Sequence, residues 1–488
     1  MENHDHAPDL KNLEEQLRRE NPLLVDAVAS FRKLDFVGRR LGLLPKGGSF
    51  AARIAWWPLV AVLGPFSAGK STFINSYLGQ SLQHTGTHAV DDKFTVICHT
   101  TEPSSRVLPG VALDADLRFP FYKMSQELEK VEAGEGGRID AYLQLKTCPG
   151  ERAKGLILID SPGFDADAQR TATLRITDYI MDLSDLVLVL FDANRPEPGA
   201  MRDTLRHLVA GTVTRKDSNK FLYVLNRMDV TAREDNPEEV VGAWQRSLAQ
   251  HGLTAGKFYR VYSPEAALPI ADEALARRFA AKRDKDLAEI HGRMAQVRVE
   301  RAYRIVGALE KMAREIEDDF VPRIRDLAAR WRKGVLRFDA LFFGIAAALC
   351  VAASFASGPA AEGSFLPGWL DWIFSASWRA WPFAALVLAG AGFIHAKARG
   401  LAEGRLRRAL ARENPPGALR EALERAMDKN TVWWRSIFAS EPAGWGNASR
   451  RRIREAIAGA ESLVQALNDR YAQPSGPRPE PSDTPTTL

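Results

Sequence analysis

The chain has 488 residues, which is too long for one ordinary domain and implies two or three units. Hydrophobic residues make up 45% and charged residues 26%, a globular average that excludes global disorder, and the net charge of +5 selects neither anionic lipid nor nucleic acid. Cys98, Cys148 and Cys350 are scattered; their spacing fits no metal-ligand set and no disulfide framework, and suits a reducing compartment.

The first residues, Met1 to His6, are polar and acidic, so no signal peptide is expected, and His4 and His6 read as a frayed tail. Residues 8–50 form an N-terminal helical segment expected to pack on other helices. Leu13, Leu17, Leu23, Leu24, Val28 and Phe31 lie near helical spacing, and Pro22 splits the run in two. Pro45-Lys46-Gly47-Gly48 ends it.

Residues 51–270 alternate short apolar runs with helical sequence, the pattern of a doubly wound, mostly parallel sheet with strands buried on both faces. The first run, Leu59 to Leu63, leads into Gly64-Pro65-Phe66-Ser67-Ala68-Gly69-Lys70-Ser71-Thr72 and then a helix. A Gly-x-x-x-x-Gly-Lys-Ser loop in strand–loop–helix context cradles a phosphate chain with its backbone N–H groups. In that motif Lys70 reaches the β- and γ-phosphates and Ser71 ligates Mg²⁺. Further strands are expected at 94–97, from about 141, and at 155–159, 186–191, 221–225 and 258–262. The 155–159 run ends in Asp160-Ser161-Pro162-Gly163, where Asp160 can hold Mg²⁺ through water and the Gly163 N–H can contact a γ-phosphate. The 221–225 run ends in Asn226-Arg227-Met228-Asp229, a variant of the NKxD element whose Asp229 carboxylate can pair with guanine N1–H and N2–H₂. Ser263 marks a further base-contacting loop. These signals, each ending an expected strand, define an α/β P-loop GTPase fold with GTP/GDP and Mg²⁺ as ligands.

Residues 271–337 turn helical, with Leu287, Ile290, Met294, Val297, Ala302, Ile305, Leu309 and Met312 on one face. Residues 338–397 then carry two apolar helices, 338–360 and 379–397, in an arrangement that reads as a membrane hairpin. Arg330, Arg332, Lys333 and Arg337 precede it and Lys397, Arg399, Arg405, Arg407 and Arg408 follow, which places both termini on the cytoplasmic side. The loop between holds Glu362, Asp371 and Arg379, and Trp369, Trp372, Trp378 and Trp381 cluster where interfacial aromatics belong. A hairpin buried in a protein core and one dipping into a single leaflet are the alternatives. Residues 398–471 return to helix around Pro415-Pro416, with Val432-Trp433-Trp434 and Ile437-Phe438 as an apolar patch expected to pack on neighbouring helices or touch lipid. Residues 472–488 form a proline-rich disordered tail.

Over residues 10–330 the chain resembles the dynamin superfamily, and within it the EH-domain-containing branch, on Ser67-Ala68-Gly69-Lys70-Ser71, on Leu190-Phe191-Asp192-Ala193-Asn194, and on the passage from Asp286-Leu287 to Arg301-Ala302-Tyr303-Arg304-Ile305. The hairpin inside a helical stalk-like domain is more similar to mitofusins and bacterial dynamin-like proteins, and no EH domain is read in these 488 residues. The resemblance implies a catalytic role for Ser67 beside Lys70, a bound monovalent cation, and hydrolysis completed by dimerisation across the nucleotide face. It also implies a switch I threonine ligating Mg²⁺; the aligned stretch reads Ala89-Val90-Asp91-Asp92-Lys93-Phe94, so the usual threonine is missing and Thr85 or Thr87 can take its place, or Asp91 through water, with Thr87 the expected metal-binding and catalytic residue. Phe66 replaces the family's glutamine, and Phe164 follows Gly163 where small GTPases place their water-orienting glutamine. Because the EH branch binds ATP while carrying NKxD, the resemblance leaves ATP open beside GTP.

The function expected is a membrane-anchored GTPase that self-assembles through its GTPase face and helices and couples hydrolysis to membrane fusion or fission. The bilayer expected is a bacterial inner membrane, and no nucleic-acid partner is expected. A nucleotide-dependent switch or scaffold that recruits an effector and hydrolyses little is the alternative.

Overall fold

The computed structural model describes residues 10–85, 93–116, 119, 121, 124–131, 134–163, 171–194, 217–233, 236–253, 256–356, 370, 372–373, 375–413 and 417–471. Thr87, Asp91, Phe164, Glu362, Trp369, Asp371, Pro415, Pro416, both N-terminal histidines and the tail 472–488 lie outside them. The chain divides into two compact units. One holds Ala52–Gly307 with residues 10–26 and 463–471; the other holds Ala308–Ser462 with Ala27–Ala51.

The first unit is built on one eight-stranded sheet. Its strands are β1 (Leu59–Leu63), β2 (Phe94–His99), β3 (Val107–Pro109), β4 (Leu143–Cys148), β5 (Ile157–Asp160), β6 (Leu186–Asp192), β7 (Phe221–Asn226) and β8 (Phe258–Arg260), in the order β3-β4-β2-β5-β1-β6-β7-β8. β1, β6 and β7 are buried along their whole length, as strands covered on both faces must be. The pairs β1–β5, β1–β6, β2–β4, β6–β7 and β7–β8 are parallel, and β2–β5 and β3–β4 are antiparallel. The sheet is thus mostly parallel, as the alternation of runs implies. Two details differ from the sequence reading. The short edge strand β3 escaped it, and Ile139–Tyr142 is a helical turn, so β4 starts at Leu143.

Helix Glu273–Arg314 lays Ile290, Met294 and Val297 into the sheet's core, along the stripe read from sequence. A buried ion cluster fixes it there. Asp185, at the start of β6, accepts from the Leu59 N–H (2.9 Å) and pairs with Arg301 (3.1 Å) and Arg304 (2.6 Å). Arg301 also donates to the Ala55 carbonyl (2.7 Å), and burial pulls its guanidinium below the ordinary arginine value while Asp185 opposes that shift. One carboxylate therefore ties the first strand to the long helix. The helix Leu10–Glu20 belongs to the same unit, and its Glu20 takes the Trp57 indole N–H and the Gly155 N–H.

In the second unit a π-helical turn, Glu315–Phe320, leads into helix Val321–Ala356, and the buried positions step by five residues across it, from Ile316 to Val321. Helix Ser377–Glu413 packs against Val321–Ala356, with Asp339 Oδ2 2.9 Å from His395 Nδ1. Beyond that pair the two helices present Leu341, Phe343, Ile345, Leu349, Val351 and Phe355, and Leu386, Val387, Leu388 and Phe393, to the outside. Both helices are long and apolar enough to cross a membrane, and none of the most apolar window of either is buried. Among the described residues nothing covers these windows, so they do not form a buried core there. Gly417–Asn430 is helical as expected, but residues 431–446 are not, and helix Asn447–Tyr471 follows. β-Branched Thr431 and Val432, two tryptophans, Pro442 and Gly444 disfavour a continuous helix there. Trp433, Trp434 and Phe438 are exposed, so the expected packing of that patch on other helices does not occur.

Replacing Asp185 by Ala strands the buried Arg301 guanidinium. The substitution is expected to cost about 3 kcal/mol of stability, measured by denaturant unfolding of the detergent-solubilised chain, with Ser67 and Lys70 chemistry left in place.

Candidate functional site

The site lies at the carboxyl ends of β1, β5 and β7, where β5 and β6 leave β1 on opposite sides, the crevice position of doubly wound sheets. The cavity there is about 410 Å³. Phe66, Ser67, Gly69, Lys70, Ser71 and Thr72 line it from the loop after β1, Asp160 and Gly163 from the turn after β5, and Asn226, Arg227, Asp229 and Ser263 from the far side. These are sequence-selected residues brought together. Gly64, Pro65 and Ala68 do not line the cavity; they shape the loop behind it, and Ala68 is fully buried. Thr85 lines the wall, whereas Thr87 is outside the described residues.

Helix Lys70–Leu78 starts at the cavity. Its N-cap, Gly69, has φ 77° and no side chain caps the first turn, so its leading N–H groups and partial positive charge are available to an anion. Ser67 is also left-handed, at φ 64°. Lys70 Nζ donates to the Gly64 (3.1 Å) and Pro65 (3.0 Å) carbonyls. Burial pushes its ammonium pKa down to about 8, and the Asp160 carboxylate pulls the other way.

Asp160 is a hub. Its Oδ2 accepts from Ser71 Oγ (2.9 Å) and from Gln83 Nε2 (2.7 Å). Gln83 is buried and in turn accepts from Lys146 Nζ through Oε1 (2.6 Å), while Asn75 Oδ1 takes its backbone N–H (2.8 Å). A hydroxyl and a carboxylate side by side at the phosphate end are hard oxygen donors of the kind Mg²⁺ prefers, so the residues fit that ion. A Cβ on Gly163 would lie 2.9 Å from Phe66 Cα, so the turn after β5 rests directly on the phosphate loop.

On the far side of the cavity Asn226 Nδ2 donates to the Ala68 carbonyl (2.8 Å), and a Cβ at Gly69 would come within 2.4 Å of that nitrogen. Arg227 takes a left-handed backbone (φ 63°) and its guanidinium pairs with Asp192 Oδ2 (3.0 Å). Asp229 is buried and accepts the Leu268 N–H through Oδ2 (3.0 Å).

Sequence reasoning missed several members. Gln83 and Lys146 belong to no motif, though a lysine inside an apolar strand is itself a signal. Asp192 was read only as part of a family stretch. Ser161, His84 and Lys93 also line the cavity, and Ser161 Oγ is buried without a hydrogen-bond partner.

Residues 60–228 match the dynamin family. A chloroplastic FZO-like transmembrane GTPase of Arabidopsis thaliana is 25% identical over 183 residues, 38% of this chain and 16% of that protein. EH domain-containing protein 2 of Arabidopsis thaliana is 25% identical over 179 residues, 35% of this chain and 30% of that one. Human EH domain-containing protein 1 is 26% identical over 182 residues, 35% and 31% respectively. The match thus spans under a third of each relative's length. Two structures of an oligomerised bacterial dynamin pair, described as sensing and tethering membranes, align at 12% identity. One covers 95% of this chain and 74% of its own at a TM-score of 0.32, the other 93% and 80% at 0.34.

Two expectations follow. Gln83→Leu removes the group that orients Asp160, and Mg²⁺-dependent nucleotide affinity should fall on the order of tenfold, with a smaller change when Mg²⁺ is chelated; titration with a fluorescent GDP reads both. Separately, Lys70 loses its proton above about pH 8 before phosphate arrives. A bound phosphate favours the charged form, so binding must take up a proton above that pH and not below it. Nucleotide affinity should be flat below pH 8 and decline above it, with proton uptake visible by calorimetry in buffers of different ionisation heat.

Proposed function

Because residues 60–228 form a GTPase domain of the dynamin superfamily, close to its EH-domain-containing branch, we propose that the chain hydrolyses GTP to GDP and phosphate and uses the cycle to remodel the membrane that holds it. The observation that carries the reading is the convergence of Lys70, Ser71 and Asp160 with Asn226 and Asp229 on one cavity, phosphate chemistry at one end and base-edge chemistry at the other.

In this reading the leading N–H groups of helix Lys70–Leu78 and the Lys70 ammonium hold the β- and γ-phosphates. Ser71 and Asp160 would hold Mg²⁺, whose charge offsets that of the phosphates. The Asp229 carboxylate accepts from guanine N1–H and N2–H₂, and the Arg227 stem covers the base, kept in place by Asp192. Water attacks the γ-phosphorus, the β–γ bridge breaks, and GDP leaves with the bonding electrons. Phe164 stands where a glutamine would orient that water, so the isolated domain lacks one positioning group and turnover depends on assembly of further copies. Ser67, left-handed at the cavity rim, is the loop residue positioned to act on the attacking side.

The apolar helices supply the membrane end. Segments 338–360 and 379–397 span a bilayer as a hairpin, with both basic ends on one side, and the self-assembled chain acts on that bilayer. A nucleotide-dependent switch or scaffold is the competing reading.

Turnover of GTP and of ATP, measured against protein concentration with and without liposomes, tests this. The rate per chain should be low, should rise with concentration and with lipid, and should favour GTP, while Lys70→Ala should abolish binding. Tight binding with no turnover under any condition supports the switch, and a rate indifferent to concentration and lipid overturns coupling to assembly.

A further inference from the structure

The stretch 431–446 presents three large aromatics to the outside: Trp433 is 81% exposed, Trp434 70% and Phe438 67%. The two indoles meet edge-on, with ring centroids 5.7 Å apart. The segment that carries them is firmly held. The Arg399 guanidinium donates to the carbonyls of Val432 (2.7 Å), Arg435 (3.1 Å) and Thr431 (3.3 Å) and lies over the Trp331 ring. Asn430 Oδ1 takes the Ala443 N–H (2.8 Å), and Glu441 pairs with both Arg325 and Arg450 (2.9 Å each). A fixed turn, rather than a loose one, therefore displays the aromatic cluster.

Its position is set by Arg399, which lies two residues beyond Lys397, the end of the second apolar segment, so about 3 Å further along the helix. At the opposite end of that segment stand Trp372, Trp378 and Trp381, all exposed, with Arg379 over the Trp372 and Trp378 rings. The segment 379–397 rises about 28 Å, close to the ~30 Å of a hydrocarbon core. Exposed tryptophans thus mark both ends of an apolar length that matches a bilayer. Indoles, apolar with one N–H, favour that boundary, and the basic end around Lys397, Arg405, Arg332, Lys333 and Arg337 suits anionic headgroups.

We propose that the Val432–Phe438 turn is a second membrane contact, its aromatic side chains seated at the headgroup–acyl boundary of the leaflet at the hairpin's basic end. The inference rests on the hairpin reading above, and it adds a residue set, held by Arg399, that would report lipid packing to the helical unit.

The test uses the full chain in phosphatidylcholine/phosphatidylglycerol vesicles carrying spin-labelled lipid, with the label either near the headgroup or at mid-chain. Subtracting the emission of Trp433→Phe/Trp434→Phe from that of the unsubstituted chain isolates the two indoles. The difference spectrum should be blue-shifted and lose intensity more strongly to the shallow label than to the deep one. Retention after alkaline carbonate extraction is read in parallel. A retained protein whose two indoles are quenched by aqueous iodide and by neither lipid label overturns the proposal and leaves the hairpin standing. Indoles shielded from iodide and from both labels also overturn it, pointing to a second copy or another protein as the cover. Loss of the protein on extraction overturns the hairpin and the proposal together.

Discussion

The nucleotide site depends on a close approach between two loops that are far apart in sequence. Asn226 reaches across to the Ala68 carbonyl, and it comes so near Gly69 that a single added carbon at that position would collide with its amide. The loop after β1 and the loop after β7 are therefore joined, by a hydrogen bond whose donor comes from the end of β7. Lys70 and Asp229 line one cavity on either side of that contact. The residue after Asn226, Arg227, has a left-handed backbone and pairs with Asp192 at the end of the neighbouring strand β6. Gly163 makes the third side of the same arrangement by resting on Phe66. The turns after β7 and β5 thus touch the loop after β1 directly, and the end of β6 is joined to them through Arg227.

The two units use charge and apolar surface in opposite ways. In the nucleotide-binding unit, Asp185 is almost fully buried and satisfied by two arginines and a backbone N–H, and the strand cores are covered on both faces. Removing one partner there leaves an uncompensated ion in a medium that solvates it poorly. In the helical unit the apolar side chains of two helices face outward, and the described residues leave them without cover. Surface of that kind is unstable in water. The described residues of the first unit cover its strand core, whereas those of the second leave apolar helix surface open.

What the sequence made legible is what local chemistry controls. The Gly-x-x-x-x-Gly-Lys-Ser loop, Asp160 with Gly163, and Asn226 with Asp229 are each short, each close a buried strand, and each bring their residue types to the cavity as read. The parallel runs at 59–63, 186–191 and 221–225 stood out because burial on both faces leaves no polar alternation. What stayed hidden depends on distant partners. Gln83 matters because folding sets it between Asp160 and Lys146, 77 and 63 positions away, and no pattern in its neighbours says so. β3 is three residues long and exposed, with neither length nor burial to mark it. The aromatic patch at 432–438 was visible as composition, but its exposure is decided by Arg399 gathering the carbonyls of that turn from a helix more than thirty residues earlier.

The π turn at Glu315–Phe320 has a consequence for how this architecture tolerates insertions and deletions. A wider turn of this kind holds one more residue than α geometry allows in the same rise. Everything that follows it inherits an azimuth offset of about 100° relative to an uninterrupted helix. Asp339 and His395 both lie beyond the turn, so their pairing does not feel that offset; what it sets is which face of Val321–Ala356 continues the buried line of Ala313 and Ile316. A variant one residue shorter at this turn could keep every hydrophobic residue and every charge and still turn the face of Val321, Ile324 and Leu327 out of line with Ala313 and Ile316. Over this part of the chain, length is under tighter constraint than identity, and the turn is where that constraint is stored.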